Sequence, residues 1–249
     1  MMKWMAYCIL VVILAVGLAV TSTPLGFVLK RSGIGTLGVG WAQAEGTITR
    51  GTISGLFTAQ QAIGDVSLRF QPAAILRGHL RYRFDWGGVG GRGQGQLDLR
   101  GNGFDLTDLR LRQQVSALEG LMPPVRMIGG EIRLSDAYLH FDRAGCVDAG
   151  GRVFSDVLIR LSSQYGRGFG PLEGEVFCRE GAVGVSLTSL SEREDRVFVE
   201  ATYALPDRAQ ARVEVSTVDT AMSLALSQSG FTPQDGMWVF QARMDGGFQ

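Results

Sequence analysis

Short segments in which apolar and polar residues alternate recur along most of this 249-residue chain, and a glycine precedes most of them. Alternation with a period of two places apolar side chains on one face of a strand and polar side chains on the other. A strand with one wet face favours antiparallel pairing. The clearest segments are Gly46–Gly55, Gly64–Phe70, Gly78–Phe84, Gly95–Gly101, Gly130–Leu134, Gly174–Cys178 and Arg196–Tyr203. The pattern therefore predicts a mainly β fold with a curved, mostly antiparallel sheet.

Helical patterns are few and short. Gln71–Gly78 has a proline near its first turn and a glycine at its end, which is typical of one turn of helix. Gln113–Met122 has apolar residues at helical spacing, and we expect Pro123-Pro124 to stop that helix. Asp219–Ser229 begins with a capping residue and ends before a glycine. Because the proline pair is too short for a linker, we expect one continuous sheet, with two lobes at most.

The amino-terminal segment is apolar enough to cross a membrane. No charged residue occurs from Trp4 to Leu29, and a helix of about 20 residues spans a hydrocarbon core about 30 Å thick. Basic residues flank both ends, so charge alone does not orient the helix. We therefore predict a cytoplasmic tail and transmembrane anchor at residues 1–30, and an exported β-rich domain at residues 31–249. A cleaved signal peptide is the alternative, although the uncharged run is longer than a usual signal-peptide core.

Composition limits the possible partners. The 35 glycines lack the three-residue period of collagen and fit many tight turns between short strands. Lys and Arg together number 24, as do Asp and Glu. A neutral chain has no net field to recruit a polyanion, so we expect no binding to nucleic acid.

Two cysteines lie in the predicted exported domain. Cys8 falls inside the apolar segment, which leaves Cys146 and Cys178. In an oxidising compartment these two can form one disulfide. Two buried free thiols are an alternative. A zinc site is a further one, but neither His79 nor His140 supplies a metal-binding spacing.

Sequence motifs for catalysis or phosphate binding are weak. Gly88–Gly93 formally matches G-x-G-x-x-G, but the residues after it alternate as a strand and do not open a helix, so we interpret it as a glycine-rich hairpin loop. His79 and His140 lie on the polar side of alternating segments, and no G-x-S-x-G motif occurs. Charged residues are typical of turns and edge strands. The carboxylates that we interpret in this way are Asp98, Asp105, Asp108, Glu192, Glu194 and Asp195. We therefore expect no catalytic residue, no metal, no cofactor and no small-molecule substrate.

The order of several segments resembles protein N of the bacterial type II secretion system. Gly46–Gly55 resembles an early family segment, and Gly64–Leu80 resembles a longer one in which Leu68 stands where an aromatic residue is common. The stretches Cys146–Val153 and Gly170–Cys178 look like a subgroup with a paired-cysteine insert. The end of the chain, from Gly230 to Gly236, looks like the family's closing strand.

This resemblance implies a non-catalytic accessory subunit of the secretion complex. It would be anchored once in the inner membrane, lie mostly in the periplasm, contact other envelope proteins of the system and need no cofactor. The alternative is a periplasmic lipid-handling protein of the AsmA-like kind, with an apolar trough lined by residues such as Leu80, Tyr82, Phe84, Leu97 and Leu99. Helices packed over the apolar sheet face would favour the secretion subunit, and an open groove would favour lipid.

Overall fold

The computed structural model describes residues 22–31, 39–58, 62–119, 123–165, 168–192, 194–204 and 208–245. The chain divides into two compact units, Met1–Val89 and Gly90–Gln249. Each unit is built on an antiparallel sheet with few helices. The division comes at Val89, whereas Pro123-Pro124 lies inside the second unit.

The described residues of the first unit form one short α-helix, five strands and a 3-10 helix. Strands β1 and β2 both pair with β3, and β3, β4 and β5 follow one another in the sheet. The elements are α1 (Leu25–Arg31), β1 (Val39–Gly40), β2 (Gln43–Gly46), β3 (Arg50–Thr58), β4 (Ala62–Gln71), the 3-10 helix Pro72–Arg77 and β5 (Leu80–Gly88). The segment predicted as one strand, Gly46–Gly55, is instead the turn of the β2–β3 hairpin together with half of β3.

Helix α1 supplies much of the core of the first unit. Leu25 and Leu29 are buried against Ile53 of β3. Trp41, Ala44, Leu56 and Leu68 pack around these three residues. The carboxyl end of the uncharged amino-terminal run is therefore packed on this sheet.

The second unit is a ten-stranded antiparallel sheet in which β6 to β13 follow chain order, and β15 lies between β13 and β14. Its strands are β6 (Gly91–Arg100), β7 (Gly103–Gln114), β8 (Glu131–Asp142), β9 (Gly145–Ser155), β10 (Leu172–Arg179), β11 (Ala182–Leu190), β12 (Arg196–Ala204), β13 (Arg208–Ser216), β14 (Thr232–Gln234) and β15 (Met237–Asp245). Its helices are the 3-10 turn Val115–Ala117, α2 (Pro123–Ile128), α3 (Val157–Tyr165) and α4 (Thr220–Gln228).

Two of the three predicted helices are confirmed. Gly78 ends the 3-10 helix in a left-handed conformation, and the side chain of Asp219 caps α4 by accepting from the Met222 N–H at 2.9 Å. The third prediction is wrong. Residues 113 and 114 belong to β7 and only one 3-10 turn follows, while Pro123 begins a helix, because proline is well suited to the first helical position, where no N–H is needed.

The predicted membrane span lies mostly outside the described residues, which begin at Ser22. In the part of the chain that the structure covers, none of the helices has the length and apolar character needed to cross a bilayer.

Bulges run across neighbouring strands of the second unit. The pairing register shifts beside Asp108 in β7, beside Asp136 in β8 and beside Gly151 in β9. Both aspartates have φ of 52°, and Gly151 has φ of 133°. A bulge bends its strand and increases the local twist. The bend in these three strands is therefore fixed by specific residues.

Candidate functional site

The predicted cysteine pair forms a disulfide. Cys146 near the start of β9 is bonded to Cys178 near the end of β10, with 5.5 Å between their Cα atoms. The Cys146 N–H also donates to the Gly181 carbonyl at 2.9 Å. Since the two sulfurs are bonded to each other, neither a free-thiol nor a metal-ligand role is open to them. Backbone pairing of β10 with β9 covers only Leu172–Glu175 of β10. The disulfide therefore joins the two strands outside their paired region.

A polar row crosses three strands of the second unit. Asp98, Asp105 and His140 lie opposite one another on β6, β7 and β8. Asp105 is buried and contacts the His140 ring through one oxygen, while its other oxygen lies 2.5 Å from the Arg100 guanidinium. The Asp105 carboxylate therefore lies between the His140 ring and the Arg100 guanidinium. His140 is thus part of a polar network that crosses the strands.

The other predicted candidates are placed separately. His79 lies just before β5, in the first unit, and its Nδ1 is 3.3 Å from the Arg77 carbonyl. The G-x-G-x-x-G stretch takes in the last residue of β5, two turn residues and the first three residues of β6, and it opens no helix, as predicted. Asp195 is buried and closes a tight turn through Ser191. Within the described ranges, no three His, Cys, Asp or Glu side chains converge as they would to hold a metal ion.

Two charged clusters stabilise the bulges and the helix start. Asp136 at the β8 bulge meets Arg152 of β9 at 2.8 Å and Arg110 of β7 at 3.7 Å. The hydrogen bond from Arg152 is the main reason that the pKa of Asp136 lies below its ordinary value. Asp156 precedes α3 and accepts from the Glu131 N–H at 2.6 Å. Burial raises the pKa of Asp156, but this hydrogen bond and Arg160 together outweigh burial and leave the pKa lowered.

Helices cover one end of the apolar face of the second unit. The buried cluster contains residues from β9 to β13, and Leu158 of α3 and Met222 and Leu226 of α4 pack against it. Trp238 and Phe231 complete that cover. Toward the other end of the same face Tyr203 is 43% exposed. A covered apolar face is typical of a closed structural sheet, whereas an open trough would leave that face uncovered.

The residues proposed for an apolar trough are divided between the units. Tyr82 of β5 packs its ring against Phe70 of β4, with 5.3 Å between centroids. Burial raises the pKa of the Tyr82 phenol. In the second unit Leu97 and Leu99 of β6 lie opposite Leu106 and Phe104. These residues line the apolar faces of their own sheets.

Sequence reasoning missed two features of the surface. Helix α3 follows an aspartate and has apolar residues at positions 157, 158 and 161, so its amphipathic start was a usable signal. Rows of arginines that lie opposite one another on adjacent strands are the second feature. They depend on strand register, which a single sequence does not reveal.

Comparison with known protein families gave one match. The family described as type II secretion system (T2SS), protein N, matches residues 37–241, which covers most of the chain and both units. Neither the comparison with curated proteins nor the comparison with solved structures returned a match.

Proposed function

Because this chain belongs to the protein N family of the type II secretion system, we propose that it is a non-catalytic subunit that supports export of folded proteins across the outer membrane. The family match over residues 37–241 is the observation that carries this proposal. A type II secretion component works in the cell envelope. The finer elements of the proposal are a single inner-membrane anchor, a periplasmic bulk and contacts with other envelope proteins of the system.

The chemistry of the described residues supports a non-catalytic role. Asp105 contacts both the His140 ring and the Arg100 guanidinium, so the histidine belongs to a hydrogen-bonded network across the strands. Cys146 and Cys178 are bonded to each other and supply no nucleophile. Groups of this kind stabilise the sheet. We therefore expect the function to depend on the surfaces of the protein and not on these groups.

Membrane anchoring requires that the span end before the sheet begins. Leu25 and Leu29 are buried in the first unit, so the anchor would occupy residues 4–23. These 20 residues carry no charge, and about 20 residues suffice for a bilayer. The disulfide supports a periplasmic location for the rest, since disulfides persist in oxidising compartments.

Partner proteins would find an open strand edge on the second unit. Strand β14 pairs only with Met237–Val239 of β15. Among the described residues, no strand pairs with the outer edge of β15 from Phe240 to Asp245. An extended segment of another envelope protein can add to such an edge through backbone hydrogen bonds. Helices α3 and α4 pack on the apolar face of β9 to β13, which supports a structural role for that part of the sheet.

A secretion assay tests the proposal. We expect deletion of the gene to leave folded substrates in the periplasm, and expression of the wild-type chain to restore their release. The single variants His79→Gln and His140→Gln should restore release equally at matched protein levels, because neither ring has a catalytic role. Normal release in the deletion strain would contradict the subunit role, and loss of release in a folded histidine variant would contradict the non-catalytic one.

A further inference from the structure

Three arginines stand in a row across the first unit. Arg50 of β3 lies directly opposite Arg69 of β4, and Arg69 lies directly opposite Arg83 of β5. All three residues are exposed. None of them forms an ion pair with a carboxylate in the part of the chain that the structure describes. Like charges directly opposite one another on a sheet are destabilising, so this arginine row costs stability unless an anion meets it.

The first unit as a whole is also positively charged. It contains eight Lys and Arg residues against three Asp and Glu, a net charge of +5, and the part that follows the uncharged run, without Lys3, carries +4. The second unit contains sixteen Lys and Arg against 21 Asp and Glu, a net charge of −5. The neutral total therefore conceals two units of opposite charge. A basic unit attracts an anionic surface within a Debye length.

The arginine row lies near the end of the sheet where the chain arrives from the uncharged run. The Ile48 N–H donates to the Thr23 carbonyl at 3.1 Å, and Pro24 forms a bridge with Thr47. Arg50 is the first residue of β3, and Arg69 is two residues from the end of β4. If residues 4–23 span the bilayer, this end of the sheet is the one that follows the membrane directly.

Exposed apolar residues lie beside the same end. The 3-10 helix that follows β4 exposes Ile75 by 54% and Leu76 by 91%. Arg77 closes that helix. Exposed aliphatic side chains flanked by basic residues are typical of segments that lie at a membrane surface. A soluble acidic partner would explain the arginines but not this leucine and isoleucine.

We propose that Arg50, Arg69 and Arg83 bind the phosphate groups of anionic phospholipids while Ile75 and Leu76 enter the bilayer interface. The inference rests on the proposed membrane anchor. It assigns the first unit a second function, which is to fix the orientation of that unit on the membrane. The bound phosphates would also relieve the repulsion between the opposed guanidinium groups.

The test uses the full chain in vesicles of phosphatidylcholine, with or without phosphatidylglycerol. An environment-sensitive fluorophore is attached at Leu76→Cys in a Cys8→Ser background, since the other two cysteines are bonded. The arginine-row variant is Arg50→Gln/Arg69→Gln/Arg83→Gln. The control variant, Arg92→Gln/Arg112→Gln/Arg133→Gln, removes an equally opposed row from β6, β7 and β8 of the second unit.

We expect a blue shift of the emission only in vesicles with phosphatidylglycerol, for the wild-type and control chains alike. The shift should be present at about 0.1 M salt and lost at about 1 M, where the Debye length falls to about 3 Å. The arginine-row variant should lack it and should unfold at the same or a higher temperature, because repulsion has been removed.

Three results would overturn the inference. The first is equal emission in both kinds of vesicle, and the second is loss of the blue shift in the control variant as well as in the arginine-row variant. The third is loss of the blue shift when soluble polyglutamate is added, which would assign the arginine row to an acidic protein. Flotation of the vesicles at about 1 M salt, where surface charge is screened, tests the anchor separately. Chains that fail to float contradict the proposed anchor, whereas chains that float without responding to lipid charge contradict the headgroup contact alone.

Discussion

At the scale of single residues, the bulges of the second unit depend on unusual backbone conformations. Asp108 and Asp136 both have positive φ, which aspartate adopts more readily than most residues. Gly151 on β9 lies opposite the β8 bulge at Asp136, and a Cβ there would lie 2.4 Å from the Cβ of Ala137, which is buried. Of these three strands, the alternating pattern predicted only the start of β8, and alternation carries no information on where a register shifts by one residue.

We expect Gly151→Ala to destabilise the protein by about 1–3 kcal/mol, since an L-residue at this φ is strained and the neighbouring backbone blocks relaxation. Gly101→Ala is the matched control, because nothing lies within 4 Å of its added Cβ. Denaturant unfolding followed by circular dichroism measures both variants. Equal stability of the two variants would show that the bulge at Gly151 tolerates a side chain.

At the scale of elements, sequence reasoning located strands better than helices. Each of the seven alternating segments falls on one or two strands, because an exposed face and a buried face leave a period of two. Helix α3 was missed although its nine residues are amphipathic and follow an aspartate. The disulfide could be predicted by counting cysteines. The ion pair between Asp136 and Arg152 could not be predicted, because strand pairing alone brings the two residues together.

We expect the double variant Cys146→Ala/Cys178→Ala to lose about 3–4 kcal/mol of stability, the value that the chain-entropy model gives for a closed loop of this length. The bond spans 32 positions of sequence. Thermal unfolding of the oxidised wild type against the variant measures the loss, and a reduced wild-type sample should match the variant. Unchanged stability in both would mean that the sheet alone holds β9 against β10.

At the scale of the whole molecule, the opposite charges of the two units correct the expectation drawn from composition. A neutral total suggested no field at all, yet the first unit carries +5 and the second −5. Composition averages over the chain, and only the division at Val89 assigns the charges to separate bodies. The family resemblance was inferred at this scale too, from the order of segments over the whole length, and the family match confirms that resemblance.

The proposed topology predicts where the carboxyl terminus lies. We expect alkaline phosphatase fused after Gln249 to be active, because residues 31–249 would be exported past a single amino-terminal anchor. A reporter that is active only in the cytoplasm, fused at the same position, is the control and should be inactive. The reverse pair of results would place this end of the chain in the cytoplasm.

The Cys146–Cys178 bond has a consequence for biogenesis. In the proposed periplasmic location, the bond between β9 and β10 forms with oxidising equivalents from the thiol oxidases of that compartment, so the stability that the bond contributes depends on them. The supply of the folded subunit then follows the redox state of the envelope. On the proposed function, we expect a cell short of oxidant to hold fewer stable copies of this subunit, although every gene of the secretion machinery is intact.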